Sequence, residues 1–264
     1  MENKLSYGEN TEWFNDSNFW EQYAPIMFDD ARWKEVPAVV GGITRLANFD
    51  FDGETSKIQS SPKVLDLCCG FGRISAELAR RGFSVTGVDI TESYLQTAKE
   101  EAALEKLNIE YVKADARDFV RPDFFDLAVN LYISFGYFSS QKDDLLLVRN
   151  VYESLKKGST FIIETLGKEI AVRDFVESEW FERAGFTVLT QYESLDSWTF
   201  LKNRWILIKD GKRIEKVFIQ RLYSASELRA LLLEAGFSKV EIFGDWDESP
   251  YDKRAAKLII AGRK

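Results

Sequence analysis

The 264-residue sequence contains no histidine and only two cysteines, Cys68 and Cys69. Without histidine, catalysis has no imidazole base, no Ser-His or Cys-His nucleophile pair and no histidine-ligated metal. Adjacent cysteines have the wrong geometry for an ordinary disulfide, and two thiols without other soft ligands make a poor metal site. We therefore expect a protein without a metal centre, whose chemistry works without imidazole.

The sequence also has no excess of positive charge. Its 43 acidic residues outnumber its 35 Lys and Arg residues and give a formal net charge of −8. Polyanions are bound through basic patches, so this balance disfavours a nucleic-acid partner. No apolar run approaches the ~20 residues of a membrane span, and the first residues lack the basic and apolar segments of a signal peptide. We expect a cytoplasmic protein without a membrane partner.

The most informative stretch that is present is Lys63–Arg73, with the residues KVLDLCCGFGR. Val64, Leu65 and Leu67 form a short apolar run, Gly70-Phe71-Gly72 interrupts it, and a helical pattern follows. This order predicts a buried strand, a glycine turn and a helix N-terminus. Glycines at such a turn let the backbone approach a ligand closely, because no Cβ intervenes.

Asp66 lies inside this apolar run, where an unpaired carboxylate is costly. A dinucleotide site places a pyrophosphate on the helix N-terminus and disfavours such a charge, and it prefers a third glycine where this chain has Ser75. S-adenosylmethionine (SAM) instead carries a sulfonium and an ammonium group and no phosphate. The run D-L-C-C-G-F-G-R resembles motif I of the class I SAM-dependent methyltransferases. The resemblance implies SAM as methyl donor and S-adenosylhomocysteine as product.

Two further acids follow predicted strands. Asp89 ends the strand after motif I, 19 residues beyond Gly70, where an acid typically binds ribose hydroxyls in NAD sites as well as in SAM sites. Asp115 ends the next strand, and the resemblance implies that it binds the adenine amino group while its neighbour Ala116 supplies a backbone N–H. Because the carboxyl ends of parallel strands meet at one edge of a sheet, these acids are expected in one nucleoside pocket with Asp66.

The N-terminal region, residues 11–47, is rich in aromatic residues and predicts a helical cap. A first helix is expected to reach about Tyr23 and to end at Pro25, and a second is expected over Asp30–Leu46, split or restarted at Pro37. The resemblance implies that such helices cover the SAM pocket. Trp20 and Tyr23 are the candidates to contact the sulfonium through cation–π attraction.

A fourth strand, Phe124–Leu131, leads into a loop where the resemblance places the reacting methyl group. Asn130-Leu131-Tyr132 is similar to the N-P-P-Y motif of nucleic-base N-methyltransferases without its prolines, which is the looser version seen in small-molecule enzymes. Tyr132 or Tyr137 is the candidate catalytic residue, in a role that orients the nucleophile.

Other patterns complete the expected sheet. A helix that opens at Asp143-Asp144 is predicted to close at Lys156-Lys157-Gly158, before a fifth strand, Ser159–Thr165. A helix over Ser224–Ala235 and two last strands, Lys239–Phe243 and Ala256–Gly262, are predicted to follow.

Residues 166–223 depart from the minimal fold, with a short helix expected over Lys168–Glu177 and then three strands. Asp210-Gly211 predicts a two-residue hairpin turn that pairs Leu207 with Ile214 and Trp205 with Lys216. Neither face of this hairpin is cleanly apolar. We therefore expect a cover over the substrate pocket or a dimer surface rather than a core sheet.

The insertion is also basic, with seven Lys and Arg residues against two acids within residues 199–222. One interpretation of this excess is that these residues lie on a face of the sheet that is exposed to solvent. The more specific hypothesis is an acceptor that carries a carboxylate or phosphate, because arginine binds both groups with two parallel hydrogen bonds. The candidate substrate-binding residues are Arg173, Arg204 and Arg221.

Together these patterns predict an α/β fold, a Rossmann-like seven-stranded, mostly parallel sheet with helices on both faces. An N-terminal helical cap and an antiparallel β insertion after strand 5 are expected to flank it, and the resemblance implies that the last strand is antiparallel. The expected division is a cap and linker (1–62), a SAM-binding core (63–165), a substrate-cover insertion (166–223) and the C-terminal part of the core (224–264), with residues 48–62 as the linker.

The predicted function is methyl transfer from SAM to a small-molecule acceptor by in-line displacement, which needs alignment and desolvation more than acid–base groups. The absence of histidine favours an amine or an activated carbon over an alcohol. A nucleotide-dependent oxidoreductase and a SAM-binding protein without turnover are the alternatives, and a monomer or a homodimer is expected. The residues assigned to cofactor binding are Trp20, Tyr23, Asp66, Cys68, Gly70, Gly72, Arg73, Asp89, Ile90, Asp115, Ala116, Asn130 and Leu131.

Overall fold

The structure of the protein, a computed structural model, describes residues 12–49 and 61–264, so residues 50–60 of the predicted linker lie outside it. The N-terminal cap consists of a 3-10 turn and three helices: Trp13–Asn15, α1 (Ser17–Met27), α2 (Asp30–Lys34) and α3 (Val36–Leu46). Strands and helices then alternate: β1 (Lys63–Leu67), α4 (Arg73–Arg80), β2 (Ser84–Asp89), α5 (Glu92–Leu104), β3 (Ile109–Lys113), β4 (Phe125–Asn130), α6 (Gln141–Ser154) and β5 (Leu155–Thr165).

The remaining elements belong to the insertion and the C-terminal part. The insertion contains α7 (Lys168–Arg173), β6 (Ser178–Arg183), β7 (Phe186–Leu195), β8 (Phe200–Lys209) and β9 (Lys212–Arg221). The chain closes with α8 (Ala225–Ala235), β10 (Lys239–Phe243) and β11 (Leu258–Arg263). In the two described ranges, no helix combines the length and the apolarity that a membrane span requires.

The main sheet has the seven strands that the sequence predicts, in the order β10-β11-β5-β4-β1-β2-β3. Strands β1 to β5 pair in parallel, and β11 runs antiparallel to both β10 and β5. The chain first builds outward from β1 to β3 and then returns to β4 on the other side of β1. The carboxyl ends of β1 and β4 therefore border the crevice where open α/β sheets bind ligands.

The central strands are apolar on both faces because helices cover both faces. Successive residues of a strand point to opposite sides, so each strand contributes to two core clusters. On the side of α6 and α8, one cluster contains Leu65, Leu67, Ala128, Phe161 and Ile163. On the side of α3 and α4, the other contains Val64, Leu127, Val129 and Ile162.

In the cap, one of the two proline predictions is wrong. Pro25 lies inside α1 and does not end it. Proline lacks the N–H that would bond the preceding turn, but the helix continues because Ile26 is buried and the Phe28 N–H donates to the Ala24 carbonyl at 2.9 Å. The prediction for Pro37 is confirmed, since it lies in the first turn of α3, where its missing N–H has no intrahelical partner to lose.

A second, four-stranded antiparallel sheet, β6-β7-β8-β9, forms the insertion. The predicted hairpin is confirmed, with Leu207 opposite Ile214 and Trp205 opposite Lys216. Two predictions are wrong. The helix ends at Arg173, before an unpredicted edge strand, β6, whose charged sequence SEWFER hides its strand character. The sheet also contributes to the core, because its inner face places Val188, Leu207 and Phe218 in the cluster beside α6 and α8.

The boundary between α6 and β5 also differs from the prediction. Helix α6 ends at Ser154, and Lys156-Lys157-Gly158 lies inside β5. Leu155 is fully buried and pairs with Phe125, so packing against β4 begins the strand four residues earlier than Ser159. The helix predicted over Ser224–Ala235 is confirmed as α8, and Ser224 and Glu227 form a capping box at its start.

A buried cluster of Asp144, Arg221 and Tyr223 fastens the insertion to the loop after β4. The Asp144 carboxylate accepts a hydrogen bond from the Tyr223 hydroxyl at 2.7 Å and lies 3.6 Å from the Arg221 Nε. The Arg221 N–H donates to the Gly136 carbonyl at 2.7 Å, and at Gly136 (φ +96°) a Cβ would lie 2.5 Å from the Arg221 carbonyl oxygen. Burial raises the pKa of Asp144 to about 7, against the hydrogen bond from Tyr223 and the charge of Arg221.

The variant D144N tests this cluster. Because the folded-state pKa of Asp144 lies above the unfolded value, the folded protein holds the proton more tightly and loses stability as pH rises from about 4 through 7. Relative to D144N, the wild type is expected to lose roughly 2–3 kcal/mol of unfolding free energy between about pH 5 and about pH 8.

Urea denaturation at the two pH values measures this difference. The variant D143N is the control, because Asp143 is the neighbouring acid and its side chain is 37% exposed. Equal pH slopes in the wild type and D144N would contradict the raised pKa of Asp144.

Candidate active site

The turn after β1 is built from left-handed residues. Cys68, Gly70 and Gly72 have φ values of +62°, +55° and +71°. At Gly70 a Cβ would lie 3.1 Å from the Phe28 ring, and at Gly72 it would overlap the Tyr111 side chain. Glycine occupies the two positions where the turn leaves no room for a Cβ. The turn directs α4 away from the end of β1.

Asp66 is 3% exposed, and its partner is the residue that replaces the third glycine. The Ser75 hydroxyl donates to Asp66 Oδ2 at 2.6 Å. Burial raises the pKa of Asp66 to about 6; the hydrogen bond from Ser75 opposes this shift and the charge of Asp89 adds to it. In the described part of the chain no Lys or Arg forms an ion pair with Asp66, so a cation bound nearby would stabilise its charged form.

Asp89, at the end of β2, holds two turns together. Its Oδ2 accepts the Gly70 N–H and its Oδ1 accepts the Thr91 N–H, both at 2.8 Å. Burial raises the pKa of Asp89 despite these two bonds. Each carboxylate oxygen has a second lone pair, so Asp89 keeps acceptor capacity for hydroxyl groups of a ligand.

Asp115, after β3, is engaged by Arg117. The guanidinium donates to Oδ1 at 3.0 Å and to Oδ2 at 2.6 Å, and the Arg117 N–H donates to Oδ1 at 2.8 Å. Burial alone would raise the pKa of Asp115, but the bonds from Arg117 outweigh it and lower the pKa. This carboxylate is therefore charged and fixed in place.

After β4, Tyr132 and Ile133 are consecutive left-handed residues, with φ values of +54° and +63°. Such conformations are costly for these residue types and persist only where the surroundings fix them. Glu164, at the end of β5, does so, because its carboxylate accepts the Tyr132 N–H at 2.6 Å and its carbonyl accepts the Ile133 N–H at 3.3 Å. Glu164 was not among the predicted site residues, although it is a fourth acid near the end of a strand.

Arg73, the first residue of α4, lies over this loop. Its guanidinium carbon is 3.6 Å from the centre of the Tyr132 ring, and its Nη1 donates to the Arg32 carbonyl at 2.5 Å. Arg73 is only 4% exposed, and within residues 12–49 and 61–264 no carboxylate pairs with it. Burial lowers the pKa of Arg73 while the charge of Glu35 and the Tyr132 phenol oppose the shift.

The candidate tyrosines keep their protons. Burial raises the pKa of Tyr132, and burial together with the charge of Asp89 raises the pKa of Tyr137, both above the ordinary value for tyrosine. A phenol in this state can donate a hydrogen bond but is a poor general base near neutral pH. Both residues therefore suit an orienting role.

These elements enclose one cavity of about 650 Å³ between the strand ends of the main sheet and the inner face of the insertion sheet. The cavity wall includes most of the residues that the sequence assigns to a site: Trp20, Asp66, Cys68, Gly70, Arg73, Asp89, Ile90, Asp115, Ala116, Leu131, Tyr132 and Tyr137. The fold brings these residues together, and their individual roles stay predictions.

Three predicted cofactor residues do not line the cavity. Tyr23 is fully buried, and its hydroxyl donates to the Trp205 carbonyl at 2.9 Å, because α1 turns this side chain toward the insertion sheet. Asn130 is fully buried and joins β4 to β1 by donating to the Leu67 carbonyl at 3.0 Å. Gly72 gives space to Tyr111 rather than to the cavity.

None of the three candidate substrate arginines lines the cavity either. Arg173 pairs with Asp174 and donates to the Lys253 and Ala255 carbonyls. Arg204 pairs with Glu215 on the outer face of the insertion sheet.

Arg221 donates to the Ser139 carbonyl at 2.8 Å and lies beside Asp144. The structure therefore places these three arginines at the surface or in the buried cluster and not in the cavity wall. That they bind an anionic acceptor stays a prediction.

The described residues contain no cluster of three or more His, Cys, Asp or Glu side chains with the arrangement of a metal site. Cys68 and Cys69 are both free thiols, and burial raises the pKa of each.

Comparisons with known proteins agree with this geometry. Residues 64–158 match the family model described as a methyltransferase domain. YqeM of Bacillus subtilis, named provisionally as a methyltransferase, is 22% identical over 83% of this chain and 92% of its own length. The ubiquinone biosynthesis O-methyltransferase of Caulobacter vibrioides is 30% identical, over 47% of this chain and 49% of its own.

Solved structures show the same fold at low identity. A SAM-dependent methyltransferase from Clostridium acetobutylicum superimposes with a TM-score of 0.73 at 16% identity, covering 93% of this chain and 97% of that one. The sugar N-methyltransferase KedS8 from Streptoalloteichus superimposes with a TM-score of 0.66 at 17% identity, covering 94% and 92%.

The domain match, together with the sheet order and the strand-end acids, separates this chain from the nucleotide-dependent oxidoreductases that share a nucleoside pocket. Residues 64–158 form a methyltransferase domain, and the chain has the fold of class I SAM-dependent methyltransferases.

Proposed function

We propose that the protein transfers the methyl group of SAM to a small-molecule acceptor, at an amine nitrogen or an activated carbon. The observation that carries the proposal is the cavity whose walls are the strand ends on one side and the insertion sheet on the other. A donor on the strand ends would face an acceptor on the insertion. Metal ions have no part in this proposal.

The residues at the strand ends fit SAM better than a dinucleotide. Asp66 is a buried acid to which the described residues offer no ion pair, and it suits the ammonium group, while Asp89 has acceptor capacity for ribose hydroxyls. Asp115, Ala116 and Ile90 line the same cavity and are proposed to hold the adenine ring. SAM, when bound, supplies a methyl group made electrophilic by its sulfonium.

The proposed acceptor class, an amine or an activated carbon, follows from the lack of an identified general base. The chain has no histidine, Tyr132 and Tyr137 keep their protons, and the Glu164 carboxylate is engaged by the Tyr132 N–H and by Lys257 at 3.5 Å. An alcohol is a weak nucleophile until its proton is removed, whereas a neutral amine is nucleophilic without a general base. Alignment and desolvation in the cavity are then sufficient for such a nucleophile.

The comparisons support the same class in part. KedS8, which shares the fold over most of both chains, is named a sugar N-methyltransferase. The relative named an O-methyltransferase is similar over only about half of either chain. We therefore place the amine ahead of the alcohol, and assign acceptor choice to the insertion, residues 166–223.

A metabolite screen tests the proposal. The protein is incubated with SAM and a small-molecule extract, and mass spectrometry follows S-adenosylhomocysteine and any compound that gains one CH₂ unit. An N- or C-methylated product is expected. A product methylated only on an alcohol oxygen would contradict the acceptor class, and turnover on macromolecules alone would contradict a small-molecule acceptor.

The variant D89N is expected to bind SAM about 10 to 100 times more weakly than the wild type, because a buried charged acceptor for the ribose hydroxyls is lost. Isothermal titration calorimetry with SAM measures the change. The control is D118N, at an exposed acid outside the cavity. Unchanged affinity in a folded D89N protein would remove Asp89 from the cofactor site.

The variants Y132F and Y137F test whether Tyr132 or Tyr137 acts as a general base. Each is expected to keep its turnover number within about tenfold of the wild type, because a phenol that stays protonated contributes orientation and not proton removal. Initial rates of S-adenosylhomocysteine formation with the acceptor from the screen measure this. A loss of about a thousandfold or more in either variant, with SAM affinity unchanged, would assign that tyrosine to proton transfer.

A further inference from the structure

The inner face of the insertion sheet presents neutral polar groups to the cavity. From β8 and β9 the cavity wall contains Leu201, Asn203, Trp205, Phe218 and Gln220. The strand register places Asn203 opposite Phe218 and Leu201 opposite Gln220. Amide side chains and aromatic rings therefore alternate on this face.

Trp205 carries a donor that the protein does not use. Its Nε1 is shielded from solvent, and the described part of the chain gives it no acceptor. Buried indole N–H groups normally have a partner. The ring is held in place, because it packs edge-on against Phe218 at 5.6 Å and the Trp205 carbonyl accepts the Tyr23 hydroxyl.

Asn203 and Gln220 line the cavity on the same face of the sheet and are only 4% and 6% exposed. The Asn203 amide nitrogen donates to the Leu201 carbonyl at 3.0 Å, and the Gln220 amide nitrogen is 3.4 Å from the Ile133 carbonyl oxygen. Both nitrogens are thus used within the protein. Across the described ranges, no donor bonds either amide oxygen, so each is available as an acceptor.

Two cations of the cavity wall already have acidic partners. Arg183 pairs with Asp29 at 3.3 Å. Lys257 lies 3.5 Å from Glu164. A carboxylate or phosphate bound against β8 and β9 would therefore be desolvated without an unpaired cation from either of these two residues, which is unfavourable.

We propose that this face binds the body of the acceptor as an uncharged ring with an oxygen acceptor beside an N–H or O–H donor, such as a carboxamide. The Trp205 Nε1 donates to the oxygen, and Asn203 or Gln220 accepts from the donor. Phe218 packs against the ring. The inference rests on the proposed function for naming the ligand an acceptor, and it reverses the anionic class that the basic sequence suggests.

Benzamide and benzoate test the charge preference, because they have the same shape and differ in charge. Each is titrated into SAM-saturated protein while NMR follows the indole N–H resonances, with the Trp205 resonance identified by its loss in W205F. Benzamide is expected to shift the Trp205 resonance and to bind at least about ten times more tightly than benzoate. Tighter binding of benzoate, or no shift of the Trp205 resonance by benzamide, would overturn the proposal.

The variant W205F tests the donor. It is expected to weaken benzamide about three- to tenfold, as for the loss of one hydrogen bond, and to leave the calorimetric affinity for SAM unchanged. The matched control is W180F, at a tryptophan of the same sheet that is 69% exposed on the edge strand β6. Equal benzamide affinity in W205F and W180F would show that the indole N–H is not used.

These readouts need no turnover. A wild type that binds benzamide at Trp205 but methylates nothing in the metabolite extract would leave this site standing and remove the proposed function.

Discussion

The structure depends on burying carboxylates at the ends of adjacent parallel strands. Asp66 lies near the end of β1, Asp89 ends β2, Asp115 follows β3, and Glu164 lies near the end of β5. The Ser75 hydroxyl donates to Asp66, two backbone N–H groups donate to Asp89, and the Arg117 guanidinium donates to Asp115. Glu164 accepts the Tyr132 N–H of the strained turn after β4. A pyrophosphate at this edge would meet concentrated negative charge. A ligand with a sulfonium and an ammonium group would lower the cost of that charge.

The same constraint links the strand-end side of the cavity to the insertion sheet. Glu164 fixes the left-handed residues Tyr132 and Ile133, and Arg73 stacks on the Tyr132 ring. The loop that follows is bonded to the end of β9 through Gly136 and Arg221. The insertion sheet is therefore a packed wall of the cavity, and its inner face shares the core cluster beside α6 and α8.

Sequence patterns predicted the elements that local rules determine. The strands of the seven-stranded sheet, the helix that begins after Ser224 and the Asp210-Gly211 hairpin follow from periodicity, capping and turn chemistry. Patterns are uninformative where tertiary contacts decide. Whether an arginine faces a cavity or a neighbouring acid has no local signature, so the positions of Arg173, Arg204 and Arg221 outside the cavity wall could not be predicted. Glu164 could have been predicted as a site residue, because it lies near the end of a strand as the other three acids do. An acid at a strand end indicates a site only when neighbouring strands also end in acids.

Thermal unfolding with SAM and with NADH tests the central claim that the strand-end carboxylates select a cationic nucleoside. At a SAM concentration about 100 times its Kd, the melting temperature is expected to rise by about 5–10 °C, since a ligand that binds only the folded state stabilises it by about 2.7 kcal/mol. NADH at the same concentration is expected to shift it by less than about 1 °C, because its pyrophosphate would meet Asp66 and Asp89. Stabilisation by NADH that equals or exceeds that by SAM would contradict the account.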